Sequence, residues 1–212
     1  MARPLKQSGM KWLMLSAVFI FPLISTFAAS EAVDESSFDL PRLFDKGQQE
    51  ASLGAEVLFS PFIATKSRPT ENYAGGFGQI GYMFTQPNTN RFISGNLEGV
   101  AEGYGTGTFT GSGRYTAGMT LWLRYNFIPR DCRFVPYAQV GAGTTFSDLD
   151  HQIFGGPFFF NLDIALGTRY FLKKAWSLNA EYRFQHVSNA NTSNHNLGLN
   201  AQGATLSVSW FF

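Results

Sequence analysis

Charge, cysteine and long apolar runs are scarce in this 212-residue chain. Only 15% of the residues are charged and the formal net charge is +1, so nothing indicates a nucleic-acid partner. The single cysteine, Cys132, excludes an intramolecular disulfide. Beyond the N-terminus no stretch reaches the roughly 18 apolar residues that a membrane-spanning helix needs. Any insertion of the remaining chain into a membrane must therefore be by strands.

Aromatic residues and glycine are abundant by contrast. The chain contains 22 Phe, 22 Gly and 8 Tyr, and aromatic residues make up 16% of it. Together with the low charge, this composition is typical of neither a soluble enzyme nor a helical membrane protein. The length is sufficient for one sizeable domain.

The N-terminus has the organisation of a secretory signal peptide, which we predict to span residues 1–29 and to be removed. Arg3, Lys6 and Lys11 precede an apolar run at 12–24, and small residues follow it. Residues 30–50 are polar and mixed in charge. We interpret them as a periplasmic lead-in to a single domain over residues 51–212.

Apolar and polar residues alternate along eight segments of this domain. The alternation is clear in four segments and weaker in four glycine-containing ones: 115–127, 158–170, 176–184 and 205–212, then 52–62, 76–85, 91–103 and 133–146. Trp122 is the one residue of its segment that breaks the pattern. An even number of strands of about ten residues, each with one apolar and one polar phase, is typical of an outer-membrane barrel. The sequence therefore predicts an all-β fold, an eight-stranded antiparallel transmembrane β-barrel of the Gram-negative outer membrane.

The lengths of the connections agree with that interpretation. The connections at 86–90, 128–132 and 171–175 are short, whereas those between them are longer and rich in Gly, Ser, Asn and Asp. Short periplasmic turns and long outer loops alternate in this way when both termini lie in the periplasm. A soluble β-sandwich also has alternating strands, but an apolar phase so rich in aromatic residues would be unusual facing water.

Several charged residues fall on the polar, inward phase of the predicted strands. They are Glu56, Arg124, Asp163, Arg169, Glu181 and Arg183. The interior of an eight-stranded barrel is filled by side chains, so paired charges there are expected and do not imply a pore.

A histidine and a serine two residues apart stand near the end of the seventh predicted strand. His186 and Ser188 lie about 6.6 Å apart along the strand on one face, because side chains alternate with period two. Counting in twos from Trp176 places both on the outward, lipid-facing phase. About ten residues of tilted strand cross the hydrocarbon, so the pair is expected at the outer-leaflet boundary. Polar residues are also common where a strand leaves a membrane, so the pair alone does not establish catalysis.

The wider sequence around this pair resembles the lipid A 3-O-deacylase family of the PagL type. The similarity covers His186-Val187-Ser188-Asn189-Ala190, residues 196–200 and the final strand, with a weaker similarity at 44–47. The resemblance implies an eight-stranded outer-membrane barrel in which Ser188 is the nucleophile and His186 the general base. It also implies that the backbone N–H of Asn189 and the side-chain amide of Asn196 stabilise the oxyanion.

One position departs from the family pattern. The family places an acidic residue twelve positions after the serine to orient the histidine, and this chain has Asn200 there. A neutral amide can hold an imidazole in place but stabilises imidazolium less well than a carboxylate. Asn200 is alternatively a plain loop residue, and His195 is either a substitute base or a solvated loop histidine.

Two further groups of loop residues have a functional and an ordinary interpretation. Asp148, Asp150 and His151 could bind a divalent cation, but they lack a regular ligand spacing and fit a solvated face better. Lys66 and Arg68 could contact lipid A phosphates, although two basic loop residues do not discriminate. We therefore predict no metal site.

The sequence thus favours an esterase that removes a 3-O-linked hydroxyacyl chain from lipid A without a cofactor, with water as the acyl acceptor. Its partner would be lipid A in the outer leaflet, and a homodimer is possible. The alternative is a non-catalytic small barrel with a structural or adhesive role. Acyl transfer to another lipid is a third option that the sequence does not separate from hydrolysis.

Overall fold

The computed structural model describes residues 40–60, 69–88, 94–129, 133–173 and 175–212. The predicted signal peptide, residues 30–39 of the lead-in, Lys66, Arg68 and Cys132 lie outside the described residues. Within these ranges, no helix is long and apolar enough to cross a membrane.

In the described part of the chain, eight strands form one closed antiparallel sheet. They are β1 (Gln49–Phe59), β2 (Asn72–Met83), β3 (Gly95–Thr110), β4 (Tyr115–Phe127), β5 (Phe134–Ser147), β6 (Phe158–Lys173), β7 (Trp176–Ser188) and β8 (Leu199–Phe211). Each strand pairs with the next, and β8 pairs with β1 to close the barrel. The predicted fold class is confirmed.

The strand limits differ from the predicted ones where one phase lacks apolar side chains. The strand β3 continues to Thr110, beyond the predicted 91–103, because glycine occupies alternate positions there and removes the apolar signal. The strand β8 begins at Leu199 rather than near 205, because Asn200 and Gln202 occupy its outward phase. Its predicted start therefore missed the residues that pair with the upper part of β7.

The outer surface of the barrel is apolar and the interior is polar. Leu53 is 74% exposed and Leu121 is 68% exposed, and both alternate with buried neighbours. Aromatic rings gather at the end where β1 begins and β8 ends, here called the lower end, as in the stack of Trp176, Trp210 and Phe212. An outward apolar band bordered by aromatic residues is the surface that a barrel presents to lipid.

Two networks of buried charges lie in the described part of the barrel interior. Near the lower end, Arg124 and Arg169 bind the carboxylates of Glu50 and Glu98. The second network, which surrounds Arg183, includes three carboxylates: Glu56, Glu102 and Glu181. The six residues predicted to point inward are all buried, which confirms that prediction. Three partners are not among the predicted inward residues. Glu50 falls in the predicted lead-in, and Glu98 and Glu102 lie in the weakly alternating segment 91–103.

Trp122 points inward and is only 3% exposed, which explains why it breaks the outward alternation of β4. The guanidinium carbon of Arg183 lies 4.8 Å from the centre of the Trp122 ring. A buried guanidinium over an indole face is a favourable cation–π contact. The tryptophan therefore belongs to the charged interior rather than to the lipid-facing surface.

The lower end of the interior is closed by the segment before β1. A 3-10 helix, Leu40–Phe44, places the Phe44 ring in edge contact with Phe171 and Phe211. The side-chain amide of Asn96 donates a hydrogen bond of 2.7 Å to the carbonyl oxygen of Phe44. The last part of the predicted lead-in is thus packed into the barrel mouth.

Candidate active site on the outer face of strands β7 and β8

The histidine and serine of the motif lie on the outward face at the upper end of β7. Their inward neighbours Gln185, Val187 and Asn189 are buried, whereas His186 and Ser188 are half-buried. The strand β7 continues to Ser188, so both side chains have the period-two placement of a regular strand.

Asn200 lies directly across from His186 in the pairing of β7 with β8. Nδ1 of the imidazole is 2.6 Å from Oδ1 of the asparagine. An amide oxygen can only accept a hydrogen bond, so Nδ1 is the donor in this contact, and in the neutral ring Nε2 then has the free lone pair. The contact therefore selects the tautomer in which Nε2 can act as a base.

An apolar cluster supports the two strands from inside the barrel. It consists of Leu58, Tyr73, Leu149, Phe154, Phe159, Val187, Leu199 and Ala201, all nearly inaccessible to solvent. Val187 lies between the histidine and the serine in sequence, and Leu199 precedes Asn200. Close packing of the inward residues restricts the backbone that carries the outward residues.

The backbone of Gly198 lies against the histidine and the serine together. A Cβ at this glycine would be 3.4 Å from Cε1 of His186 and 3.9 Å from Cβ of Ser188. Its φ of +66° is a left-handed conformation that favours glycine. The last residue before β8 thus brings the connecting loop against both motif side chains.

The chain reverses direction immediately after the serine. The backbone N–H of Thr192 donates to the carbonyl oxygen of Asn189 at 3.1 Å, closing a four-residue turn. Ala190 and Asn191 have φ of +52° and +61°, as in a type I′ turn. A left-handed alanine costs about 1 kcal/mol, so the surrounding contacts must hold this conformation.

The side chain of Asn189 supplies several of those contacts. It is 1% exposed, and its Nδ2 donates to the carbonyl oxygens of Phe154 at 3.0 Å and His195 at 2.7 Å. Its Oδ1 accepts from the backbone N–H of Asn191 at 3.0 Å. The buried amide thus fixes the turn against the loop that follows β5.

The two residues predicted to stabilise an oxyanion are in contact with each other. The backbone N–H of Asn189 donates to Oδ1 of Asn196 at 3.2 Å. Nδ2 of Asn196 in turn donates to Oδ1 of Asn191 at 2.9 Å. Asn191 was not singled out from the sequence, where the only signal is the density of asparagines at 189, 191, 194 and 196.

The side chain of His195 is exposed, and its backbone oxygen anchors Asn189.

The acidic residues of the loop after β5 have structural partners. Asp148 accepts from the backbone N–H of Arg114 at 2.7 Å and from its guanidinium at 2.7 Å, and these bonds lower the pKa of Asp148 to about 2. Asp150 caps the short helix α1 (His151–Phe154) by accepting from the backbone N–H of Gln152 at 2.9 Å. In the part of the chain that the structure describes, no three His, Cys, Asp or Glu residues form a group that could hold a metal ion.

The fold resembles solved outer-membrane barrels. The crystal structure of the outer membrane enzyme PagL matches with a TM-score of 0.53 and 15% identity, covering 74% of this chain and 97% of that one. Neisserial surface protein A (NspA) matches with a TM-score of 0.51 and 15% identity, covering 78% of this chain and 97% of that one. The N-terminal β-barrel domain of Pseudomonas aeruginosa OprF matches with a TM-score of 0.50 and 16% identity, covering 79% of this chain and 100% of that one. At such identities the likeness shows the fold alone, and the comparison with curated proteins returns no match.

The sequence of the barrel carries a more specific similarity. Residues 73–209, more than half of the chain, match the family model described as lipid A 3-O-deacylase (PagL). The family and the similar barrels together locate the protein in the Gram-negative outer membrane. The chain therefore belongs to the PagL family of lipid A 3-O-deacylases.

Proposed function

We propose that this protein is an outer-membrane serine esterase that hydrolyses the 3-O-linked hydroxyacyl chain of lipid A. The observation that carries the proposal is the hydrogen bond of 2.6 Å from His186 to Asn200, on the outward face and two residues from Ser188. A histidine with a defined tautomer on the same strand face as a serine supports their assignment as base and nucleophile.

The position of the pair suits an ester substrate that stays in the membrane. His186 is the tenth residue of β7 after Trp176, which lies at the lower aromatic border. A tilted strand of that length rises about 25 Å, close to the height of the apolar band of such barrels. Ser188 then lies where acyl chains meet headgroups, the level at which lipid A carries its ester bonds.

In the first step the hydroxyl oxygen of Ser188 attacks the ester carbonyl carbon while its proton passes to Nε2 of His186. The negative charge that develops on the carbonyl oxygen is stabilised by the backbone N–H of Asn189 and the amide Nδ2 of Asn196. The bond to the sugar oxygen then breaks, and that oxygen takes the proton from Nε2 as it leaves. Each well-placed oxyanion donor contributes about 3 kcal/mol.

In the second step water resolves the acyl-enzyme. His186 takes a proton from the attacking water and returns it to the oxygen of Ser188 as the new acyl bond to serine breaks. The products are the free hydroxy fatty acid and lipid A with a 3-hydroxyl group, and no cofactor takes part. Asn200 keeps the ring oriented in both steps but stabilises the imidazolium less than a carboxylate would.

The alternative is a barrel without catalysis, in which the motif is a structural remnant. The presence of Asn200 where the family has an acid is the observation that favours it. The two proposals differ over Ser188, because only the esterase needs its hydroxyl oxygen.

Mass spectrometry of lipid A from a Gram-negative host that produces the protein separates them. Wild type, Ser188→Ala and the matched control Ser193→Ala, a serine of the neighbouring loop, are compared in cells and in detergent extracts. We expect wild type and Ser193→Ala to remove one hydroxyacyl chain and Ser188→Ala to remove none. Recovery of that chain as free acid supports hydrolysis, and recovery on another lipid supports acyl transfer. Unchanged lipid A with a correctly folded wild-type barrel would contradict the esterase.

A further inference from the structure

Three asparagines after the motif serine form a closed ring of hydrogen bonds. The backbone N–H of Asn189 donates to Oδ1 of Asn196 at 3.2 Å. Nδ2 of Asn196 donates to Oδ1 of Asn191 at 2.9 Å, and the backbone N–H of Asn191 donates to Oδ1 of Asn189 at 3.0 Å. The ring fixes the orientation of the Asn196 amide, because a backbone N–H can only donate and must therefore face the amide oxygen.

This orientation is the opposite of the one that catalysis requires. If the backbone N–H of Asn189 binds the substrate oxyanion, the oxygen of the Asn196 amide now occupies that place. The donor group of the same amide points away, toward Asn191. An acceptor oxygen beside a developing oxyanion would repel it, whereas a half-turn of the amide would present Nδ2 as a second donor.

We propose that Asn191 is a positioning residue that holds the oxyanion site closed in the resting protein. The proposal rests on the esterase function proposed above. Opening consists of a half-turn of the Asn196 amide, which breaks its bond to Asn191 and frees the backbone N–H of Asn189. Asn191 does not touch the substrate and acts only through Asn196.

The rest of the loop is suited to such a local motion. The Asn189 side chain is 1% exposed and bonded to Phe154 and His195, so the turn and its N–H stay in place. Asn196 is half-buried and Asn191 is exposed, so the moving amide is near solvent. Closure depends on two hydrogen bonds between uncharged groups. The substrate binds the closed and open forms equally, and the oxyanion of the transition state binds only the open form, so it can shift the equilibrium.

The deciding variant is Asn191→Gly. Glycine accepts the φ of +61° and keeps the backbone N–H that bonds Asn189, so only the bond to Asn196 is lost. One neutral hydrogen bond stabilises the closed form by an amount equivalent to a roughly fivefold population ratio. We therefore expect kcat for lipid A in detergent to rise about fivefold with KM unchanged. Asn194→Gly, the same change at an exposed position of this loop, should leave kcat unchanged.

Two further variants test whether the effect runs through the acceptor oxygen of residue 191. Asn191→Asp tolerates a left-handed φ and keeps an acceptor for Nδ2 of Asn196, so its kcat should stay at or below the wild-type value. Asn196→Ala removes both the closing oxygen and the donor, and its kcat should fall about 100-fold.

The outcomes separate the inference from the function on which it rests. An active wild type with Asn191→Gly at or below its kcat would overturn the closure while leaving the esterase intact. An equal rise in Asn194→Gly would also overturn it, because general loosening of the loop would then be the cause. Lipid A unchanged by every variant, including Asn191→Gly, would contradict the esterase and the closure together.

Discussion

Replacing Asn200 with aspartate tests whether the amide is a functional member of the site. Aspartate has the shape of asparagine, so one carboxylate oxygen can occupy the position now held by Oδ1, 2.6 Å from Nδ1 of His186. The substitution therefore changes charge while leaving geometry almost constant. We expect Asn200→Asp to raise kcat, because a carboxylate stabilises the imidazolium that forms in both steps.

The size of the gain follows from the geometry. Two unit charges about 4 Å apart attract by about 4 kcal/mol at an effective dielectric constant of 20. The dipole of the Asn200 amide already supplies part of this attraction. Because His186 is half-buried and faces outward, its surroundings also screen the interaction between the two charges. Replacing a neutral hydrogen bond by a charged one of the same geometry gains about 1.5 kcal/mol, or about tenfold in kcat.

The assay is release of hydroxy fatty acid from lipid A in detergent, with kcat and KM determined separately. Asn194→Asp adds the same charge to an exposed loop position and serves as the control. Asn200→Ala, which leaves Nδ1 without its acceptor, should lower kcat about tenfold or more. If Asn200→Asp and Asn200→Ala both retain the wild-type kcat, Asn200 is a strand residue without a role in catalysis, and the proposed selection of the His186 tautomer is refuted.

Further predictions concern barrel stability, measured as the urea midpoint of the folded-to-unfolded gel shift. Gly143→Ala should cost about 2 kcal/mol, because the new Cβ would lie 1.9 Å from a backbone oxygen of β4; Gly103→Ala, with nothing within 4 Å, should be neutral. Arg169→Met should cost about 3 kcal/mol, because Glu50 and Glu98 lose a buried cation partner. Phe44→Ala should cost about 3 kcal/mol by opening a cavity at the lower end. An equal midpoint for the two glycine variants, or wild-type midpoints for Arg169→Met and Phe44→Ala, would refute the respective packing argument.

The barrel itself could be predicted because the membrane acts as a second solvent. A strand between lipid and a packed interior must place apolar residues on one side and polar residues on the other. Apolar and polar residues therefore alternate with period two along the sequence. The same count in twos assigned His186 and Ser188 to the outward phase. The alternation failed where one phase has no apolar side chains, as in the glycine-rich part of β3 and at the polar start of β8.

The sequence by itself therefore determined the strand number, the outward phase and the candidate nucleophile and base. Only the tertiary structure decided which residues meet across strands. The pairing of His186 with Asn200 depends on the register between β7 and β8, and the polar start of β8 hides that register from any alternation pattern. The ring that joins Asn191 to Asn196 depends on a left-handed turn at Ala190, which neighbouring loops hold against its local preference. Local periodicity determines whether a side chain faces the lipid or the barrel interior. Closure of the barrel and packing of its loops determine which residues that side chain contacts.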